Sequence, residues 1–267
     1  MNNRIEIGKT AEILEIGNNM AKKLYFNTVP VQDIKTEFEL TKKINNLDIP
    51  TATCYDLIQQ DERYAMIIEK INGISMLKYM TKRNPFASME MAAKLALLHV
   101  SVHTIKNPDL SQNIDQLRQR IDAVNLITDP DKNKIYKYLQ CLPKGNSLCH
   151  GDYHPGNIIL STQGDFIVDW MTATQGHSCS DVARTDLLLR YGVPPNQRNG
   201  IEKIIMDLVR NRFADVYLNT YIKNTFVKRE SISDWTLPHM ASMLNDISAN
   251  STKEIFLIEI KKLLKAI

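Results

Sequence analysis

The stretch that decides the reading is His150-Gly151-Asp152-Tyr153-His154-Pro155-Gly156-Asn157-Ile158-Ile159-Leu160, followed after a polar turn by Phe166-Ile167-Val168-Asp169-Trp170. Two carboxylates, Asp152 and Asp169, stand in loop-like positions at the edges of short apolar runs, with Asn157 between them. Hard divalent cations take oxygen ligands from carboxylates and amides, completed by phosphate oxygens. Phosphoryl transfer requires a metal to neutralise charge, a carboxylate to receive a hydroxyl proton and a cation on the phosphates. Asp152, Asn157 and Asp169 supply the first two, and Pro155-Gly156 supplies a turn that brings Asn157 back toward Asp152. Each residue taken alone also suits an ordinary turn, because Asp, Asn, Gly and Pro dominate turns.

Around this island the chain changes character twice. Upstream, Arg4–Gly8, Ala11–Ile16 and Met20–Phe26 read as short strands separated by turn signals at Gly8-Lys9 and Gly17-Asn18-Asn19. Val31–Asn46 has helical spacing, with Ile34, Phe38, Leu40, Thr41 and Ile44 recurring and Pro50 just beyond its end. Thr53–Ile58 and Tyr64–Glu69 read as two further strands around a polar turn over Gln59–Arg63. From Ser75 the pattern is mainly helical. Met89–His103 is apolar around much of its circumference, which predicts a buried helix. Ile114–Ile127 and Asp131–Leu139 are amphipathic. After Asp181 the chain reads as helices again, interrupted at Gly192-Val193-Pro194-Pro195.

The island resembles the signature of the aminoglycoside phosphotransferase and choline kinase superfamily, the small-molecule relatives of protein kinases. In that family HGDxHxxN forms the catalytic loop, and the strand ending in Asp-Trp carries the counterpart of the protein-kinase DFG aspartate. The resemblance extends from about Arg4 to Leu189. It implies an α+β, bilobal protein-kinase-like fold: a small N-terminal antiparallel β-sheet lobe with one helix over 1–73, ending in a hinge, and a larger, mainly helical lobe over 74–267. It implies Asp152 as catalytic base, Asn157 and Asp169 as magnesium ligands, and His150 as a brace of the loop. The family's phosphate-binding lysine maps to Lys23, before Leu24-Tyr25. Strand alternation supports it, since Ala21, Lys23 and Tyr25 share a face; Lys22 is the fallback. Glu37 in TEFEL is its helical partner, with Glu39 on another face of the helix. The stretch MIIEKINGISM matches the family's hinge, so the Glu69 carbonyl and the Ile71 amide are expected to read the adenine of ATP. Thr10 is expected near the phosphates, on a loop shorter than the glycine-rich loop of protein kinases. Asp181 in SDVAR matches an aspartate that braces the catalytic core.

Composition bounds the alternatives. The chain has 267 residues, a net charge of +3, 43% hydrophobic and 24% charged residues. These are ordinary globular values, with room for two cores. Basic residues are scattered, so nucleic-acid binding is not expected. The N-terminal segment carries charges throughout and no apolar run approaches the roughly 20 residues of a bilayer span, so a cytoplasmic protein without membrane association is expected, as a monomer or homodimer. Cys54, Cys141, Cys149 and Cys179 show no CxxC spacing and read as free thiols. His99 and His103, four apart on a helix, read as core or surface histidines rather than zinc ligands, because no HExxH pattern is present.

The expected reaction is ATP- and Mg2+-dependent phosphorylation of a small-molecule hydroxyl, with an aminoglycoside, choline-like, other amino-alcohol or sugar-like acceptor. Two alternatives stand beside it. One is a metal-dependent hydrolase using His150, Asp152 and His154, which leaves Asn157, Asp169, Lys23 and Glu37 without a task. The other is a catalytically inactive kinase-like binding protein. A protein kinase is disfavoured, since no APE-like motif follows Asp169. Aromatic residues that would cage a choline-like cation (Trp170, Tyr191, Tyr217, Tyr221, Trp235) and carboxylates that would attract a polycation (Asp186, Glu202, Asp207, Asp215) have plainer readings as core and as solvated helix faces.

Overall fold

In the computed structural model, residues 4–8, 10–81, 85–192 and 201–267 are described. Contacts divide the chain into two compact units, each made of two pieces: residues 1–81 with 155–172, and residues 82–154 with 173–267. The sequence reading draws one linear cut after Gly73. The contacts instead group the hairpin that follows the catalytic string with the N-terminal piece.

The N-terminal unit is built on a five-stranded antiparallel sheet. Its strands are β1 (Arg4–Ile7), β2 (Ala11–Gly17), β3 (Met20–Tyr25), β4 (Cys54–Gln60) and β5 (Arg63–Glu69), in spatial order β1-β2-β3-β5-β4. Two hairpins are closed by two-residue turns with both residues at positive φ: Asn18 and Asn19 at 52° and 55°, Asp61 and Glu62 at 49° and 64°. Such turns match the right-handed twist of paired strands and are favoured by Asn and Asp. The polar turn expected over Gln59–Arg63 is therefore tighter, and both flanking strands run further than their apolar residues suggest. Helix α1 (Val31–Asn45) buries Ile34, Glu37, Thr41 and Ile44, a spacing of three and four that places one stripe inward. That stripe contributes to the small core of Ala11, Tyr25, Ile34, Cys54 and Met66.

A second, three-stranded sheet completes this unit. β6 (Gly73–Ser75) pairs antiparallel with β8 (Ile158–Ser161), and β8 with β9 (Gly164–Ile167). Short helix α2 (Met76–Thr81) follows β6. A single 3-10 turn over Pro155–Asn157 leads into β8.

The C-terminal unit is helical, apart from one two-stranded ribbon of β7 (Ser147–Cys149) and β10 (Thr174–Gly176). Its helices are α3 (Pro85–Thr104), α4 (Asn113–Asp122), α5 (Asp129–Cys141), α6 (Ser178–Tyr191), α7 (Ile201–Thr225), α8 (Arg229–Ser233), α9 (Thr236–Met243) and α10 (Asn250–Leu263). The core gathers Ile121, Val124, Ile135, Leu187, Met240 and Phe256 among others. The amphipathic run expected as one helix to Ile127 ends at Asp122. Val124 and Ile127 are still buried, so the apolar pattern continues where the helix does not. Thr128 then caps α5, its side chain accepting from the Asp131 N–H, with Pro130 in the first turn. This start lies two residues before the apolar pattern announces it. The expected break at Gly192-Val193-Pro194-Pro195 lies, beyond Gly192, outside the described residues. Among the described residues no helix is long and apolar enough to cross a membrane.

Candidate active site

The candidate residues fall into two groups, one in each unit. In the N-terminal unit, alternation along β3 sends the two lysines to opposite sides. Lys22 Nζ donates to Gln60 Oε1 at 2.9 Å. Lys23 Nζ instead forms a short ion pair with Glu37 and lies 3.4 Å from Asp169 Oδ1. Glu37 reaches it because it belongs to the buried stripe of α1. Burial opposes the charge on Lys23. The nearby Asp169 and Glu37 carboxylates more than offset that opposition and hold its pKa above the ordinary lysine value. Lys23 is thus a permanently charged ammonium with a fixed direction.

Asp169 follows β9 with φ at 67°, a left-handed conformation uncommon for residues with a Cβ and most accessible to Asn and Asp. Its side chain is 39% exposed, so oxygen lone pairs remain open to a ligand. Asn157 is buried in the 3-10 turn before β8, and its carbonyl accepts from the Val168 N–H at 3.0 Å. The backbone just before Asp169 is therefore tied directly to Asn157. A carboxylate and an amide oxygen on adjoining backbone are the hard donor set that magnesium accepts, with its other positions left to water and phosphate. The residues fit such an ion.

Glu69 ends β5. Its carboxylate accepts from the Thr53 N–H and hydroxyl at 3.1 and 2.9 Å, so its side chain is spent on the strand edge. Ile71 follows in irregular backbone and is partly buried. Thr10 precedes β2, with its carbonyl accepting from the Phe26 N–H; Lys9, beside it, lies outside the described residues. Neither Thr10 nor Ile71 is brought against Lys23 or Asp169 by any hydrogen bond among the described residues.

In the C-terminal unit, β7 delivers His150-Gly151-Asp152. Gly151 adopts φ of 78°, which a glycine accommodates without strain. His150 is fully buried, and its Nδ1 accepts from the Asp152 N–H at 3.2 Å. Asp152 has a side chain 36% exposed, with Oδ2 3.6 Å from His154 Nε2. Burial would raise its pKa, but His154, then Arg184 and His150, lower it to about 2. Asp152 is therefore ionised across the neutral range and able to accept a hydrogen bond from a hydroxyl.

Beneath this loop lies a closed polar network. Asp181, on α6, is buried. It accepts from the His150 and Gly151 N–H groups at 2.6 and 2.9 Å, and lies 3.0 and 3.4 Å from His99 Nε2 and His103 Nε2. The far nitrogens, His99 Nδ1 and His103 Nδ1, meet the hydroxyls of Tyr217 and Tyr221 at 2.6 and 2.7 Å. Burial would raise the Asp181 pKa, but the hydrogen bonds from His103 and His99 hold it well below the ordinary carboxylate range. Burial lowers His99 to about 3, so it is neutral. His99, His103 and Asp181 bring ligand atoms within 4.8 Å of one another, the spacing of a metal site. Every imidazole nitrogen of the pair already has a hydrogen-bond partner, so they read as a satisfied core network.

Arg184 is the residue that sequence reasoning passed over. It lies three residues after Asp181, one helical turn along α6, and its Nε donates to the Gly151 carbonyl in a short contact. Only its spacing from Asp181 could have marked it.

Residues 21–203 match the family model described as APH, phosphotransferase enzyme family. The chain belongs to that phosphotransferase enzyme family. Its fold is shared with solved relatives at low identity. One is an aminoglycoside-3'-phosphotransferase of type VIII (TM-score 0.60, 16% identity, covering 91% of this chain and 93% of that one). A second is the streptomycin-ATP-APH(2")-IIa ternary complex (TM-score 0.56, 17% identity, covering 100% and 91%). A third is a choline/ethanolamine kinase family protein from Mesorhizobium loti (TM-score 0.57, 11% identity, covering 99% and 88%). A search of curated proteins found no match.

Proposed function

We propose that this protein transfers the γ-phosphoryl group of ATP to a hydroxyl of a small molecule. The observation that carries the reading is the Lys23 ammonium held by Glu37 beside Asp169, in a chain of the phosphotransferase family. A strand lysine fixed by a helical glutamate is the cation that phosphoryl transfer places on nucleotide phosphates. Lys23 binds phosphate oxygens, and Glu37 keeps its direction. Asp169 and Asn157 hold magnesium, which when bound neutralises charge on the phosphates. The backbone at Glu69 and Ile71 takes the adenine, and Thr10 lies toward the phosphates.

Asp152 orients the acceptor hydroxyl and takes its proton. A carboxylate with a pKa near 2 is a weak base. It accepts the proton late, after the bond to phosphorus has begun to form, as a loose transition state permits. His150 and Asp181 keep the loop in place from below. The hydrolase reading is less well supported, because His150 is fully buried and its Nδ1 is engaged by the backbone.

The test is thermal stability with and without magnesium-ATP, on the wild type and Asp169→Ala. A ligand at a hundredfold excess over its Kd adds about 2.7 kcal/mol of apparent stability. A magnesium-dependent rise in Tm, lost in the variant, is expected. No rise at millimolar nucleotide would sink the kinase reading.

A further inference from the structure

A pocket in the C-terminal unit is lined by Asn113, Arg120, Gly151, Arg184 and His239, among others. Three of these are buried and incompletely satisfied. Arg184 is 7% exposed, and apart from its Nε bond to Gly151 its guanidinium makes no hydrogen bond among the described residues; the nearest carboxylate oxygen, on half-exposed Asp246, stands 3.7 Å from one terminal nitrogen. His239 is 4% exposed, with its Nε2 2.9 Å from the Ser180 hydroxyl and its Nδ1 buried with no partner among the described residues. Asn113 is buried, and its side-chain amide has no hydrogen bond among the described residues. The amide is held by a close approach: a Cβ on Gly176 would stand 2.2 Å from the Asn113 side-chain carbon, so residue 176 must be glycine while Asn113 keeps this position.

The terminal nitrogens of Arg184 make no hydrogen bond among the described residues yet are not fully buried, so they are open to an acceptor that enters the pocket. Burial, and then the nearby charge of Arg120, destabilise the Arg184 cation despite Asp152, Asp246 and Asp181 around it. The carboxylates already present are committed elsewhere. Asp181 accepts from two backbone N–H groups and faces two histidines, and Asp246 is in a short pair with Arg120. The pocket therefore holds spare donors on Arg184 and no uncommitted carboxylate among the described residues. A cationic ligand would find no idle carboxylate in it.

We infer that this pocket binds a carboxylate of the phosphate acceptor, so that the substrate is a hydroxy acid rather than a polycation, with Arg184 and Asn113 as its specificity-determining contacts. A planar carboxylate matches the guanidinium fork, which favours paired N–H···O bonds. One negative charge offsets Arg184. The second charge of a phosphate would be left facing Asp152, Asp181 and Asp246. Because Arg184 also holds the Gly151 carbonyl, a carboxylate placed on it puts the rest of the acceptor beside Asp152. This rests on the phosphotransfer reading for the identity of the ligand as the acceptor.

The experiment measures Tm against concentration for D-glycerate, L-homoserine and D-gluconate. Glycerol, choline, kanamycin and glycerol 3-phosphate serve as comparisons, all at equal ionic strength. Wild type, Arg184→Met and Asn113→Asp are measured, with magnesium-ATP titrated separately. At least one hydroxy acid should give a saturable rise in the wild type. The apparent affinity should fall at least tenfold in Arg184→Met, and equally in Asn113→Asp, which keeps size and places a competing carboxylate in the pocket. The second variant decides the matter if the first fails to fold. The inference is overturned if no hydroxy acid gives a saturable rise, if the variants respond like the wild type, or if only glycerol 3-phosphate or the cations bind. A magnesium-ATP response without a hydroxy-acid response strikes this inference alone; the reverse strikes the kinase reading and leaves the carboxylate pocket standing.

Discussion

In the N-terminal unit a buried cation, Lys23, is met by two carboxylates, Glu37 and Asp169. In the C-terminal unit a more deeply buried cation, Arg184, has, among the described residues, one backbone carbonyl within hydrogen-bonding range and a carboxylate at 3.7 Å. Both are helix- or strand-borne positive charges withdrawn from water, yet Lys23 is paired at close range and Arg184 only at longer range. The difference separates two kinds of preorganisation. Lys23 is held in place with its charge compensated, and in the proposed function it would trade contacts with incoming phosphate. Arg184 keeps its place through the loop it braces, and in the inference above its remaining donors would meet a ligand carboxylate.

That comparison can be broken at several points. The largest effect is expected at Asp152. Asp152→Ala should lower phosphoryl transfer by about 10²–10⁴-fold, the usual weight of a general base. The magnesium-ATP rise in Tm should survive, because the proposed nucleotide and metal contacts are Lys23 and Asp169. A variant with near-normal turnover would remove Asp152 from the chemistry.

Next is Asp181, which accepts from the loop backbone and both histidines. Asp181→Ala should destabilise the fold by about 3–5 kcal/mol in urea, as expected when one partner of a buried charged network is removed. An unchanged midpoint would show that the loop does not depend on this carboxylate.

Glu37→Gln should cost less, about 1–3 kcal/mol, since the amide still accepts a hydrogen bond from Lys23 while the charge is lost. It should also weaken magnesium-ATP binding. If nucleotide affinity is unaffected, Lys23 is held by Asp169 alone.

The smallest effect per step is in pH. Burial keeps His99 and His239 neutral, with pKa values lowered to about 3. The unfolded chain protonates near the ordinary histidine value of about 6.5. Below that pH the unfolded state binds more protons, so stability is complete above about pH 6.5 and is lost progressively toward pH 3. Each histidine contributes up to about 1.4 kcal/mol per pH unit. Urea midpoints between pH 7 and 4.5 check this, and a flat profile would mean that these imidazoles are not held neutral.

Much of this was legible in the order of residues. The sheet strands follow from alternation and from the Asn18-Asn19 turn, and α3 from its apolar run, although the helix expected to be buried exposes Glu90, Leu97 and Ser101. The family resemblance pointed to Lys23, with strand alternation in support and Lys22 as fallback, and the structure places the two ammonium groups on different partners, Glu37 and Gln60. What stayed hidden depends on long-range contact. β10 has three residues and no pattern of its own, and exists because β7 lies beside it. The grouping of 155–172 with the N-terminal piece rests on β6 meeting β8, far apart in the chain. Arg184 and Asn113 read as ordinary polar helix residues, because a sequence does not reveal which polar side chains have been drawn out of water.

The pairing of β6 with β8 also sets an order of assembly during synthesis. Ser75 leaves the ribosome 86 residues ahead of Ser161, roughly 4–17 seconds earlier at about 5–20 residues per second. Through that interval the nascent five-stranded sheet can bring Lys23 to Glu37, but Asp169 has yet to be made. The second carboxylate must be delivered to a partly finished unit only after the chain has produced α3, α4 and α5. A truncated product ending at Thr81 would carry the lysine–glutamate pair and β6 without a neighbour, an open strand edge exposed to other nascent chains.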